Sequence, residues 1–183
     1  KTPEEAVIIF KDLVRENSVV TAGGCMTSIE LGIVEILRSG VYNYIDRERP
    51  GITPEEVQVV QRQAFTADYF ITGTNAITEK GELFNIDGNG NRVAAISYGP
   101  KEVIVIAGSN KIVRDAEEAR KRVKEISAPA NAMRLDCNTP CTIDGICRNC
   151  ASEKRICCTE VLTGYQRIKN RIKVIIVDGD FGF

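Results

Sequence analysis

The sequence predicts an α/β protein built on a mainly parallel sheet, and three observations carry that expectation. The runs SVVTA (18–22), DYFIT (68–72), EVIVIA (102–107) and KVIIV (173–177) are continuous in β-branched and aromatic side chains, the pattern of strands covered on both faces. Helical stretches separate them, and strands alternating with helices call for parallel pairing. The chain has 183 residues, 43% hydrophobic and 27% charged, an ordinary globular composition read as one domain over residues 1–183. A cysteine-rich segment, 137–158, is expected to interrupt this pattern as an irregular insertion before the last strand.

In chain order, Thr2-Pro3-Glu4-Glu5 opens the first helix: a hydroxyl cap, proline at the first helical position and a capping-box glutamate. SVVTA follows as a buried strand. Gly23-Gly24 then leads to a helix expected to start near Thr27, with Thr27-Ser28-Ile29-Glu30 as its capping box. The letters Thr53-Pro54-Glu55-Glu56 repeat the first helix start and predict a helix to Ala64 or Phe65; the recurrence reflects capping physics, and no internal repeat is visible. After DYFIT come the loop Gly73–Thr78, a Gly/Asn-rich stretch from Asp87 to Arg92, and a helix over RVAAISYG. EVIVIA runs into Gly108-Ser109-Asn110-Lys111. Asp115 to Ile126 predicts a helix with Ala116, Ala119, Val123 and Ile126 on one stripe.

There is no histidine. Ser-His-Asp and Cys-His mechanisms are therefore excluded, as is every mixed Cys/His zinc site, and acid–base work falls to carboxylates, Lys, Tyr or Cys. The net charge of −1 offers no general attraction to nucleic acid. Residues 134–173 nonetheless carry eight Lys/Arg against four Asp/Glu, a local +4 better read as charge compensation beside thiolates than as a nucleic-acid surface. Neither an export leader nor an apolar stretch of membrane-spanning length is present in the sequence, so a reducing cytoplasm is the expected compartment.

Six of the seven cysteines lie between Cys137 and Cys158. Cys147 and Cys150 form a knuckle whose sulfurs can converge on one ion, and with Cys141 and Cys157 they give C-x5-C-x2-C-x6-C. Cys137 and Cys158 are then spares. One knuckle flanked by unequal spacers suits a 4Fe-4S cluster better than ribbon-type zinc, which takes paired knuckles, so iron–sulfur is favoured with zinc as the alternative. Disulfides are disfavoured by the odd count and by a chain long enough to bury a core unaided.

Parallel sheets bind ligands beyond the carboxyl ends of their strands. Gly23, Gly24 and Thr27 form one such loop, with glycines that let the backbone approach an anion at a helix start. Gly73 and Asn75 form a second, continued by Asn91 and Arg92, which put a guanidinium beside free amides. Lys111 ends a third. Each has a plain turn or surface lysine as its alternative. If the site is catalytic, Glu79 or Asp87 is the candidate base and Lys111 the oxyanion stabiliser of an isomerase- or acyl-transfer-like reaction. A non-enzymatic binding module with a structural zinc is the third reading.

Taken together, GGCMTSIELG, DYFITGTNAITEKGELFNIDGNGNRVAAISYGP, VIVIAGSNKIV and APANAMRL-x-C-x-TPC resemble the lactate-utilization (LUD domain) family, in its stand-alone cysteine-bearing branch, over nearly the whole chain. The resemblance implies a Rossmann-like fold similar to glucosamine-6-phosphate deaminase, ribose-5-phosphate isomerase and CoA transferases. It also implies a link to lactate or organic-acid oxidation, a small anionic metabolite as ligand and redox proteins as partners, and leaves a homo-oligomer open. The sequence opens at Lys1 rather than Met, and the family pattern implies a further helix and strand upstream.

Overall fold

The computed structural model describes residues 1–183. The chain begins with α1 (Pro3–Leu13), β1 (Val19–Ala22), α2 (Met26–Glu30), α3 (Ile33–Arg38), β2 (Asn43–Ile45) and α4 (Pro54–Gln63). Next come β3 (Tyr69–Thr72), β4 (Ala76–Thr78), β5 (Leu83–Asp87), α5 (Asn91–Ser97), β6 (Glu102–Gly108) and β7 (Ile112–Val113). The last elements are α6 (Ala116–Arg122), α7 (Ala128–Arg134), α8 (Cys141–Asp144), β8 (Thr159–Thr163) and β9 (Ile172–Val177).

These elements form two compact units, the first comprising Lys1–Gly73, Ala94–Asn110 and Gln166–Gly182, the second Thr74–Val93 and Lys111–Tyr165, with Phe183. In the first, five strands run in the order β2-β1-β3-β6-β9, all pairs parallel. The four apolar runs of the sequence are its four longer strands. Its core joins Phe10 of α1 and Val14 just after it to Val20, Ile71, Ile104, Ile106, Ile175 and Val177 of the sheet. Each fully buried side chain of this size contributes about 1.5–3 kcal/mol of transfer free energy.

Both Thr-Pro-Glu-Glu starts are capping boxes: the Thr2 and Thr53 hydroxyls accept from the Glu5 and Glu56 amides, whose carboxylates accept from the cap amides in return. The expected Thr27 box is corrected. Extended Cys25 is the cap of α2, its Sγ accepting from the Ser28 amide at 3.4 Å, while the buried Thr27 hydroxyl donates to the Phe181 carbonyl at 3.0 Å. A thiol here does the work usually given to a hydroxyl, and Thr27 is spent on a tertiary bond.

The second unit has its own four-stranded sheet, β7-β4-β5-β8, in which β5 is antiparallel to both β4 and β8 and β4 is parallel to β7. Phe84 of β5 packs with Ala76, Val113, Ala119, Val123 and Ala128. The helix expected over 115–126 forms with a change of pitch: after α6 the chain widens into a π-helical turn, Val123–Ser127, and runs on without a break into α7. The extra residue of that turn rotates the stripe, so Ala119 and Val123 stay buried while Ile126 faces solvent, 47% exposed. The cysteine segment follows α7 and leads into β8 before β9 is reached.

Arg171, 5% exposed, donates to the carbonyls of Ala95 and Ile96 in the last turn of α5 and to that of Pro100 just beyond it. A guanidinium at a helix C-terminus satisfies orphan acceptors and opposes the negative end of the dipole. Arg171→Met is expected to lower stability by on the order of 3 kcal/mol, because it strands buried carbonyls. Chemical denaturation checks this, and a loss below about 1 kcal/mol contradicts the role assigned to Arg171.

Candidate functional site: a four-cysteine cavity and a guanidinium cluster

In the second unit, α7 ends at Arg134 and the chain turns back through hydrogen bonds from the Cys137 amide to the Ala132 carbonyl and from the Thr139 amide to the Cys137 carbonyl. The single turn α8 starts at Cys141 and stops at left-handed Gly145. Asp144 accepts from Arg148 and from the Ile146 amide, and the guanidinium foremost holds its carboxyl down at about 2. The loop rejoins the sheet where the Cys158 amide donates to the Asp87 carbonyl.

One cavity occupies the inside of this loop. It is lined by Cys141, Cys147, Cys150 and Cys157, together with Arg148, Arg155 and Ile156, and backed by Ala128 and Ala132 of α7. Cys137 and Cys158 are not in its lining. All seven cysteines are free thiols. No three Cys, Asp or Glu side chains are drawn together tightly enough to hold an ion in this arrangement.

The electrostatics around the four thiols differ. A side-chain hydrogen bond from Ser152, aided by the Ser152 amide, pulls the Cys150 thiol down. Burial pushes the Cys157 thiol up against a smaller opposing effect from Arg155. The Arg155 guanidinium donates to the Cys150 and Cys157 carbonyls, both at 2.6 Å, and lies 3.7 Å from the Cys157 Sγ. Its Nε is buried with no acceptor. A buried donor left without a partner costs about 1–3 kcal/mol, and this one belongs to a residue lining a cavity of thiols, whose sulfurs can accept from it. The donor set and this orphan nitrogen fit a thiolate-bound metal.

The ligand-loop residues divide between the units. In the first, the Gly23 amide donates to the Ile71 carbonyl, Gly24 is exposed, and a Cβ at Gly73 would lie 2.8 Å from the Cys25 Sγ, so a larger residue there displaces that thiol. In the second, Asn75 is a hub. Its Oδ1 accepts from the Ile86 amide at 2.9 Å and the Arg92 guanidinium at 3.0 Å, and its amide donates to the Asn85 Oδ1. Arg92 also donates to the Asn85 side chain and the Ile86 carbonyl, which ties the end of β5 to the start of α5.

Sequence reasoning missed Arg122. It is 8% exposed and donates to the Asn75 carbonyl and the Ser127 hydroxyl, both at 2.8 Å; burial pulls its guanidinium below the usual arginine value. The signal that was available is a cation on the apolar stripe of α6. Of the candidate catalytic groups, Lys111 is buried at 4% exposure and Glu79 is exposed. Asp87 accepts from the amides of Gly88, Arg92 and Val93 at 3.0, 2.9 and 3.1 Å, the work of a helix cap. Asn91 opens α5 and is half-buried.

A model of the LUD domain matches residues 1–177. The chain belongs to the LUD domain family. No protein of curated function matches it. Among solved structures, it is similar to a DUF162 family protein from Deinococcus radiodurans, at 16% identity over 98% of this chain and 99% of that one, with a TM-score of 0.35. It is also similar to eIF2B beta from Chaetomium thermophilum, at 13% identity over 63% of this chain and 44% of that one, TM-score 0.45. Ribose 5-phosphate isomerase from Plasmodium falciparum matches at 18% identity over 61% of this chain and 52% of that one, TM-score 0.38. The LUD chain thus spans about half the length of the last two. No helix of this LUD domain is long and apolar enough to cross a membrane.

The capping geometry of Asp87 yields a direct test. Asp87→Ala is expected to cost about 1 kcal/mol of stability and Asp87→Asn only a few tenths, because asparagine caps nearly as well as aspartate. Equal losses in the two variants, read from denaturation midpoints, contradict the capping assignment.

Proposed function

We propose that this LUD domain is a cytoplasmic lactate- or organic-acid-utilization protein that binds a small anionic metabolite. Its Cys141, Cys147, Cys150 and Cys157 hold a metal, an iron–sulfur cluster in preference to zinc, with a redox or electron-transfer role. The observation that carries this reading is the lining of the cavity: the four cysteines of the C-x5-C-x2-C-x6-C spacing share one wall-bounded space, and the two spares lie outside it.

A bound 4Fe-4S cluster supplies one-electron transfer over a potential range set by hydrogen bonds to its sulfurs, local charge and exposure. The chain's own residues do the rest. Arg148 and Arg155 bring positive charge to a space that four thiolates would make strongly negative. Ala128, Ala132 and Ile156 keep one side of it apolar, which limits water and strengthens the electrostatics inside. For the metabolite, support comes from the second unit: Arg92 and Arg122 both meet Asn75, and Lys111 is buried in the same unit. A redox partner protein would meet the exposed Ile143 and Ile146, 87% and 58% accessible on the cysteine loop.

Protein purified without oxygen is expected to be brown, with broad absorbance near ~400 nm that bleaches on reduction. Cys147→Ser and Cys150→Ser are expected to lose the metal and render residues 137–158 protease-sensitive while the five-stranded sheet stays folded; Cys25→Ser keeps the metal. Colourless protein carrying one zinc per chain removes the electron-transfer role, and full metal content in the Cys147 variant removes the ligand assignment.

A further inference from the structure

We infer that Arg155 is the positioning residue of the four-cysteine site: it fixes Cys150 and Cys157 relative to each other and donates its Nε–H to a sulfur of the bound group. This rests on the metal reading of the cavity and adds a hydrogen-bond donor to it.

The two terminal nitrogens of Arg155 are committed to the carbonyls of Cys150 and Cys157, residues on either side of it in the chain. The planar fork of a guanidinium fixes the directions of its N–H bonds. Once both terminal nitrogens are engaged, the direction of Nε–H is determined as well. That bond belongs to an atom shielded from solvent with no acceptor, on a residue lining the space enclosed by the four cysteines. The Cys157 Sγ lies 3.7 Å from one of the terminal nitrogens, so the guanidinium already touches one candidate ligand.

A purely structural loop clamp accounts for the two carbonyl bonds and leaves the Nε unexplained. Burying that nitrogen gains nothing unless an acceptor arrives, and the acceptors at hand are sulfurs. Metal-bound thiolates and cluster sulfides are good acceptors, and donors to them are a recognised means of tuning a metal site. Lysine cannot reproduce this arrangement. An ammonium is a point charge without a rigid fork, so it cannot bridge two carbonyls and address a sulfur in one plane.

The neighbouring cations act differently. Arg148 is paired with Asp144, and Lys154 is exposed. Lys154 therefore supplies a matched control: neutralising it removes the same charge from the same loop without removing a hydrogen bond to a ligand.

The test uses cobalt(II) as the probe, titrated into reduced, metal-free full-length chain under anaerobic conditions. Tetrahedral thiolate cobalt gives intense visible bands and a sulfur-to-cobalt charge-transfer band in the near ultraviolet. Arg155→Met is expected to weaken cobalt binding by about 10–100-fold, the usual effect of losing an outer-shell partner. It is also expected to move the charge-transfer band to lower energy, because a hydrogen bond to sulfur stabilises the lone pairs from which that transition starts. Arg155→Lys is expected to show the same band shift, and Lys154→Gln to leave both affinity and band at wild-type values. A clamp that only holds the loop would lower affinity with no change in band energy, and that result overturns the sulfur contact. Wild-type affinity in Arg155→Met, or an equal loss in Lys154→Gln, overturns the positioning role. Absence of thiolate–cobalt bands in the wild-type chain overturns the metal reading itself, and the inference with it.

Discussion

A chain segment that buries almost nothing of its own has to be ordered by directional bonds, and residues 137–158 are such a segment. Thr139 is the only side chain among them that is buried, while Ile143 and Ile146 stand in solvent. Ordering more than twenty residues costs on the order of 1–2 kcal/mol each in backbone entropy, and burial on this scale does not offset it. What the loop has instead is a set of polar ties: Asp144 to Arg148, Arg155 to two carbonyls, and Cys158 to β5. These shape a space around four thiols. A metal bound there would couple its binding free energy to the order of the loop.

The rest of the second unit supplies a rigid frame for that loop. The loop leaves from α7 and returns to β8, the edge strand that pairs with β5 over five residues. Arg120 joins α6 to β8 through a bidentate pair with Glu160 and lies over the Phe84 ring at 5.6 Å. Both ends of the cysteine segment are therefore anchored in packed elements. The Asn75 hub braces the same end of β5 that receives the loop, with two guanidiniums set on one asparagine.

Much of the first unit could be read from the sequence, because its signals are strong and local. Thr2 and Thr53 announce their helices by capping chemistry, and the four apolar runs announce a parallel sheet. The second sheet was not legible: β4 and β7 are three and two residues long, too short for alternation to register. The π turn after Arg122 has no marker in residue type, and it alone turned Ile126 outward. Buried cations were missed for a common physical reason. Arg122 and Arg171, like the half-buried Arg155, read as solvated side chains in a one-dimensional pattern, and only the fold brings carbonyls to them. Cys25 was legible as part of a glycine turn but not as a cap, since sulfur is a weak acceptor and rarely takes that place.

The central claim is that Cys141, Cys147, Cys150 and Cys157 are jointly ligands to one metal centre. X-ray absorption at the metal edge of anaerobically purified protein addresses it most directly. The account predicts an iron edge with an all-sulfur first shell, four sulfurs per metal at about 2.3 Å, and no nitrogen or oxygen. A first shell containing oxygen or nitrogen, or a protein that binds no metal at any edge, contradicts it.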